Sequence, residues 1–201
     1  MILVFDTETS GKANFNLLPS ASSQPKLVQL GLQLLDPLTL QMRAQFETLV
    51  SHDSLVIESG AFDAHGIRTE DAQAYGIPLY EAVGIFEAFR QKATVLVAHN
   101  YEFDSIIMRS SYARIDKLLK SNGAISICTK RGMTTHMRLP NPGRPGFKWP
   151  KLSEAFKFCT GRDIENAHNA LADVSACAEV YRWLKRHQVV SSPPIAEPIP
   201  A

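Results

Sequence analysis

The chain opens on an unbroken apolar run. Residues 2–5, Ile-Leu-Val-Phe, are β-formers without polar alternation, a pattern that predicts a short strand buried on both faces. Lys26 to Leu35 predicts a second strand, and Asp36-Pro37 a turn after it. Leu40, Met42, Ala44 and Phe46 then alternate with Gln41, Arg43, Gln45 and Glu47, so a third strand is expected with one dry and one wet face. Together they form an expected antiparallel meander.

The period then changes. Ser59 to His65 predicts a short helix closed by Gly66. Pro78 stands where a first helical residue would, and Leu79, Ala82, Val83, Phe86 and Phe89 recur at helical spacing up to about Lys92. Thr94 to Ala98 predicts a strand, Tyr101 to Ala113 a helix, and Ala124 to Cys128 a last short strand. Further helices are expected over Lys151 to Cys159, closed by Gly161, and over Asn169 to His187. The Gly- and Ser-marked stretch after residue 10 and the proline-rich stretch 138–150 read as loops. A meander followed by alternating strands and helices indicates an α/β domain: a mixed sheet, antiparallel then parallel, flanked by helices. It is expected to span residues 1–188, followed by a proline-rich, disordered tail over 189–201.

Composition narrows this little. With 201 residues the chain suits one domain, and 45% hydrophobic and 20% charged residues are ordinary for a soluble one. A net charge of +1 forces neither a nucleic-acid nor a membrane reading, so any electrostatic argument must be local. Cys128, Cys159 and Cys177 form no C-x-x-C pair, which argues against a zinc knuckle and suits a reducing compartment. The apolar N-terminus lacks a basic flank and meets Asp6 at once; it is read as neither a signal peptide nor a span, and a cytoplasmic location is expected.

The acidic residues change the picture more. Asp6 and Glu8, two apart on a strand, project to one face and repel unless a cation sits between them. Hard carboxylate oxygens suit Mg²⁺ or Mn²⁺, although alone the pair reads equally as a solvated strand end. Asp104 falls in the first turn of a helix that follows a strand, where the helix dipole favours an acid with or without a function. Asp173 lies at the edge of the apolar face of the last helix and needs a partner there. His168 would stand about 140° away from it on a continuous helix, so it is expected just before the helix begins.

In order, Phe5-Asp6-Thr7-Glu8-Thr9, Ala98-His99-Asn100-Tyr101-Glu102-Phe103-Asp104 and the H-x-A-x-x-D of His168, Ala170 and Asp173 resemble the three motifs of the DnaQ-like (DEDDh) branch of the DEDD 3′→5′ exonuclease superfamily. The histidine of the third motif selects the branch. The resemblance implies a ribonuclease H-like fold and stepwise hydrolysis from a 3′ end, most naturally of single-stranded DNA, to nucleoside 5′-monophosphates. It implies two Mg²⁺ or Mn²⁺ ions: Asp6 bridging both, Glu8 and Asp173 on the ion that activates water, Asp104 supporting the other, and His168 as general base. It further implies that Thr7, Thr9, Asn100, Phe103 and His65 of an H-G-I segment hold the terminal nucleotide. A polymerase or another replication or repair protein is the kind of partner it implies, and no membrane. Two alternatives stand beside it: an exoribonuclease on the same scaffold, and a non-catalytic nucleic-acid-binding module, which should have lost at least one of five residues that are all present.

Residues 129–153 carry Lys130, Arg131, Arg138, Arg144, Lys148 and Lys151 and no acid, with Phe147 and Trp149 among them. They read as a loop that guides a single strand, with Arg144 and Lys148 on phosphates and Trp149 stacking on a base, or else as a solvated basic loop. Residues 14–24 form a second long insertion beside the first motif.

Overall fold

A computed structural model describes residues 1–165 and 169–189. The opening strand is longer than its apolar run. β1 spans Ile2–Thr9, because β2 (Leu27–Leu35) pairs antiparallel along its whole length and carries Asp6, Thr7 and Glu8 into the ladder. β3 (Met42–Ser51) completes the expected meander on the far side of β2. A register shift there leaves Arg43 as an extra residue, with Leu34 opposite Ala44 and Leu35 opposite Met42. A bulge interrupts the side-chain alternation. Ala44 and Phe46 pack on the core as expected, while Met42 is 46% exposed.

α1 (Ser59–His65) has the predicted bounds and ends at Gly66 in the left-handed conformation, φ 71°. α2 (Thr69–Tyr75) and β4 (Ile77–Pro78) were not expected; two residues make no period, and α2 buries only Ala72. Pro78 therefore closes a strand instead of opening a helix, and α3 (Leu79–Arg90) comes directly after it. β5 (Val95–Ala98), α4 (Tyr101–Ala113) and β6 (Ile125–Cys128) agree with expectation within a residue. α5 (Thr129–Met137) corrects the reading of 129–153 as a continuous loop. It buries only Thr129 and Met133, too few positions for a helical stripe to show in the sequence. α6 (Leu152–Thr160) and α7 (Ala170–Arg186) complete the elements among the described residues.

The sheet order is β4-β3-β2-β1-β5-β6. β1 to β3 are antiparallel, β5 runs parallel to β1, β6 to β5, and β4 to β3. One face packs Leu3, Phe5, Leu30, Leu32 and Leu34 against Phe86 of α3 and Ile107 and Met108 of α4. The other packs Ile2, Val4 and Leu35 against Val174, Cys177, Ala178 and Tyr181 of α7. α5 and α6 cover the far side of α7 through Met133, Ala155, Phe156, Val180 and Leu184, and Val189 packs there too. Residue 189 thus belongs to the core side of the expected tail boundary, and residues 190–201 lie outside the described residues. Among the described residues no helix is long and apolar enough to cross a membrane.

Unequal strand lengths leave part of β1 open. Along β1, β5 pairs only with Ile2, Leu3 and Val4, so β1 overhangs it by five residues. Backbone groups on that side of Phe5–Thr9 must find partners outside the β5 ladder.

Candidate active site

Alternation along β1 puts Ile2, Val4, Asp6 and Glu8 on the face covered by α7. The two apolar residues meet the body of the helix; the two acids stand at its N-terminal end. The carboxylates of Asp6, Glu8 and Asp173 lie within 4.8 Å of one another. The helix comes this near because residue 31, opposite Asp6 on β2, is glycine: a Cβ there would lie 2.6 Å from the carbonyl oxygen of Ala170.

Asp104 completes the acidic set from the other side of the overhang. It is 2% exposed, and its Oδ1 accepts both the backbone N–H of Thr7 (3.0 Å) and the Thr7 hydroxyl (2.8 Å). It is thus the first turn of α4, not a strand, that satisfies the N–H left open where β5 stops. The structure brings Asp6, Glu8 and Asp173 into one cluster and sets Asp104 beside it, joined through Thr7.

These acids are costly to ionise together. Burial, then the charge of Asp173, raises Asp6 to about 7. Burial, then Asp6 and Asp173, raises Glu8 to about 9. Burial and Asp6 hold Asp104 well above the usual carboxylate range, against the pull of its two Thr7 hydrogen bonds. A cluster of hard oxygens with mutually raised pKa values is the donor set that a divalent cation relieves, so the residues present fit such an ion.

Stability should therefore depend on pH. Carboxyls raised in the folded state bind more protons folded than unfolded, so their contribution to the metal-free protein is lost as pH rises from about 4 towards 9. The metal-free Tm is expected to fall between about pH 5 and pH 9, and added Mn²⁺ to raise it more at the alkaline end, where fewer protons compete. Scanning calorimetry across that range checks this; equal Mn²⁺ stabilisation at both ends would contradict it.

His168 lies outside the described residues. α7 begins at Ala170, and Asn169 caps it by accepting from the Ala172 N–H.

The residues expected around the terminal nucleotide are mostly tied into the scaffold. Thr7 gives both its N–H and its hydroxyl to Asp104. The Thr9 hydroxyl donates to the carbonyl of Gly11, and its own carbonyl accepts from His65 Nε2 (3.1 Å). His65 Nδ1 accepts from the Ile67 N–H, so the proton resides on Nε2 and the ring fastens the end of α1 to the end of β1. Asn100 caps α4 in the left-handed region, φ 93°, and its carbonyl accepts from the N–H of Phe103, which packs at the edge of the core. Sequence reasoning passed over His99. Its ring bonds to Thr129 Oγ1 (2.9 Å) and the carbonyl of Pro150 (3.2 Å), and burial lowers it to about 4, so it is neutral. It ties the start of α5 and the end of the proline-rich loop to the strand end beside Asp104. Its place within the second motif was the available signal.

Several cations of the basic segment have partners within the chain. Arg131 pairs with Glu102 and Lys148 with Glu154, acids that lie outside or at the far border of the segment and so escape a local charge count. Lys130 covers the Trp149 ring at 4.6 Å, and Arg138 stands 6.0 Å from the Phe147 ring. Arg144, Phe147 and Trp149 are exposed.

An exonuclease family model, RNase_T, matches residues 3–181. No curated protein sequence matches the chain. Among solved structures, Escherichia coli Exonuclease I in complex with a dT13 oligonucleotide aligns with a TM-score of 0.74 at 19% identity, over 93% of this chain and 41% of that one. The zinc-ion-bound form of the E. coli ExoI–ssDNA complex aligns with a TM-score of 0.74 at 19% identity, over 93% and 41%. An ExoI/SSB-Ct complex aligns with a TM-score of 0.72 at 18% identity, over 93% and 41%. The chain therefore spans about two fifths of the length of these structures, and what it shares with them is the fold: the mixed sheet and flanking helices of a ribonuclease H-like exonuclease domain.

Proposed function

Because the chain belongs to the RNase_T exonuclease family, whose model covers residues 3–181, we propose that it removes nucleotides stepwise from the 3′ end of single-stranded DNA, releasing nucleoside 5′-monophosphates. The catalytic domain in this reading runs from residue 1 to residue 189, where Val189 still packs on the core. The observation that carries it is the cluster of Asp6, Glu8 and Asp173 within 4.8 Å, with Asp104 anchored beside it by Thr7.

Asp6, Glu8 and Asp173, with Asp104, would hold the divalent ions, two Mg²⁺ or Mn²⁺. When bound, such ions neutralise the acids, acidify a water and stabilise charge on the leaving 3′ oxygen. The protein's own groups do the rest. His168 takes the proton from the water that attacks phosphorus, work suited to an imidazole with an unperturbed pKa near 6.5. Thr7 keeps Asp104 in place through two hydrogen bonds. Thr9, His65, Asn100 and Phe103 shape the surroundings of the terminal nucleotide. Exposed Arg144 and Trp149 and the Glu154-paired Lys148 line the approach of the strand. His99 supports that approach by holding Pro150 and Thr129 against the site.

Single-stranded DNA is favoured over RNA because the fold relatives bind dT13 and ssDNA. The ExoI/SSB-Ct complex likewise supports an SSB-type partner. Three free cysteines support a cytoplasmic location.

The test uses 5′-labelled single-stranded DNA and RNA of equal sequence with Mg²⁺ or Mn²⁺. A ladder shortening from the 3′ end, abolished by chelator and faster on DNA, is expected. Internal cuts alone, or cleavage persisting in chelator, would overturn the reading; faster trimming of RNA would reverse the substrate class.

A further inference from the structure

The first turn of α7 is held by the sheet as well as by its own cap. A helix N-terminus leaves its first N–H groups without intrahelical partners. Here the Ala170 N–H donates to Gln29 Oε1 (3.1 Å), the Leu171 N–H to Glu47 Oε1 (3.3 Å), and the Ala172 N–H to Asn169 Oδ1 (3.1 Å). The Glu47 oxygen also accepts from Asn169 Nδ2 (2.6 Å) and Gln29 Nε2 (3.0 Å), so one atom fixes the helix, its capping residue and the second clamp. Two of these three side chains come from strands more than 120 residues away.

Register explains why they meet there. Asp6 lies opposite Gly31, which lies opposite Glu47; Glu8 lies opposite Gln29. Cross-strand neighbours share a face. The acids of β1 and the clamp on β2 and β3 therefore form two adjoining rows, and α7 enters over Gly31 between Asp6 and Glu47. Asp173, four residues past the Asn169 cap, is carried towards Asp6 and Glu8. Three clustered carboxylates repel one another, and a fixed helix start opposes that repulsion.

We propose that Glu47 and Gln29 are positioning residues of the exonuclease site, holding Asp173 in the metal-binding cluster through the first turn of α7; this rests on the function proposed above. Neither belongs to the cluster of Asp6, Glu8 and Asp173.

Glu47→Leu, Glu47→Gln and Gln29→Leu are compared with wild type by kcat and KM on a labelled oligonucleotide, Mn²⁺ binding by calorimetry, and amide hydrogen exchange over residues 170–173. Glu47→Leu is expected to lower kcat and weaken Mn²⁺ binding by about 10–100-fold each. KM should change little and exchange at residues 170–172 should quicken. Glu47→Gln keeps an acceptor oxygen and should recover most of both losses. Wild-type kcat and Mn²⁺ affinity in Glu47→Leu, or a Glu47→Gln variant as impaired as Glu47→Leu, would overturn the proposal. If Glu47→Leu fails to fold, Gln29→Leu, which frees the Ala170 N–H, decides between the same outcomes. An inactive wild type would sink the exonuclease reading alone, since Mn²⁺ affinity and amide exchange still decide this one.

Discussion

Asp6→Asn should abolish exonuclease activity and at the same time raise the Tm of the metal-free protein. Asp6 stands at the centre of the acidic set: its charge raises both Glu8 and Asp104, and Asp173 raises it in turn. A bound ion's stabilisation of developing charge amounts to several kcal/mol. At about 1.4 kcal/mol per tenfold in rate, its loss costs about a thousandfold or more. The fold depends on the carboxylate in the opposite sense. An amide of the same shape keeps the packing and removes one of the mutually repelling charges, so unfolding without metal should occur at a higher temperature. Single-turnover rates on a labelled oligonucleotide and thermal melts in chelator measure the two effects. A variant that loses both activity and stability would mean that Asp6 serves the fold rather than an ion.

Gly31→Ala should cost both stability and activity by a steric route. The added Cβ would lie 2.6 Å from the Ala170 oxygen and 2.7 Å from its carbonyl carbon. Both are backbone atoms, so no rotamer change relieves the contact; strand or helix must move. Overpacking of this kind costs about 1–3 kcal/mol, roughly 2–4 °C in Tm per kcal/mol for a domain of this size. The displaced element is the start of α7, and a shift of about 1 Å at a reacting centre can cost about a hundredfold in rate. Gly84→Ala is the control. Nothing lies within 4 Å of a Cβ at Gly84 on α3, and alanine in a helix interior should stabilise by up to about 1 kcal/mol. Equal Tm values for wild type and Gly31→Ala would show that the close approach of α7 to β2 is not needed.

Elements with a long hydrophobic period were legible. α4 has its predicted bounds because buried residues from Asp104 to Tyr112 fill most of its thirteen positions, and α1 because Gly66 supplies a left-handed stop. Elements made by pairing or by short contacts were not. β4 is two residues long and exists only through β3. α5 buries two side chains, α2 one. The exposure of Met42 arises from a bulge, a property of two strands together that the alternation of one cannot reveal. A charge count over 129–153 has the same limit: Arg131 finds its acid, Glu102, on α4, outside that window.

By itself the sequence determined the chemistry of the candidate site. The residue types and their order give four acids, two of them bound to one strand face by a period of two, and these hold wherever the chain runs. The tertiary structure alone decided how the acids are held. Asp104 is fixed by Thr7 because β5 ends five residues short of β1, and Asp173 reaches Asp6 because Gly31 admits the helix and Gln29 and Glu47 anchor its first turn. Strand overhang, close backbone approach and hydrogen bonds across more than a hundred residues depend on the relative placement of distant segments, and no local pattern carries that information.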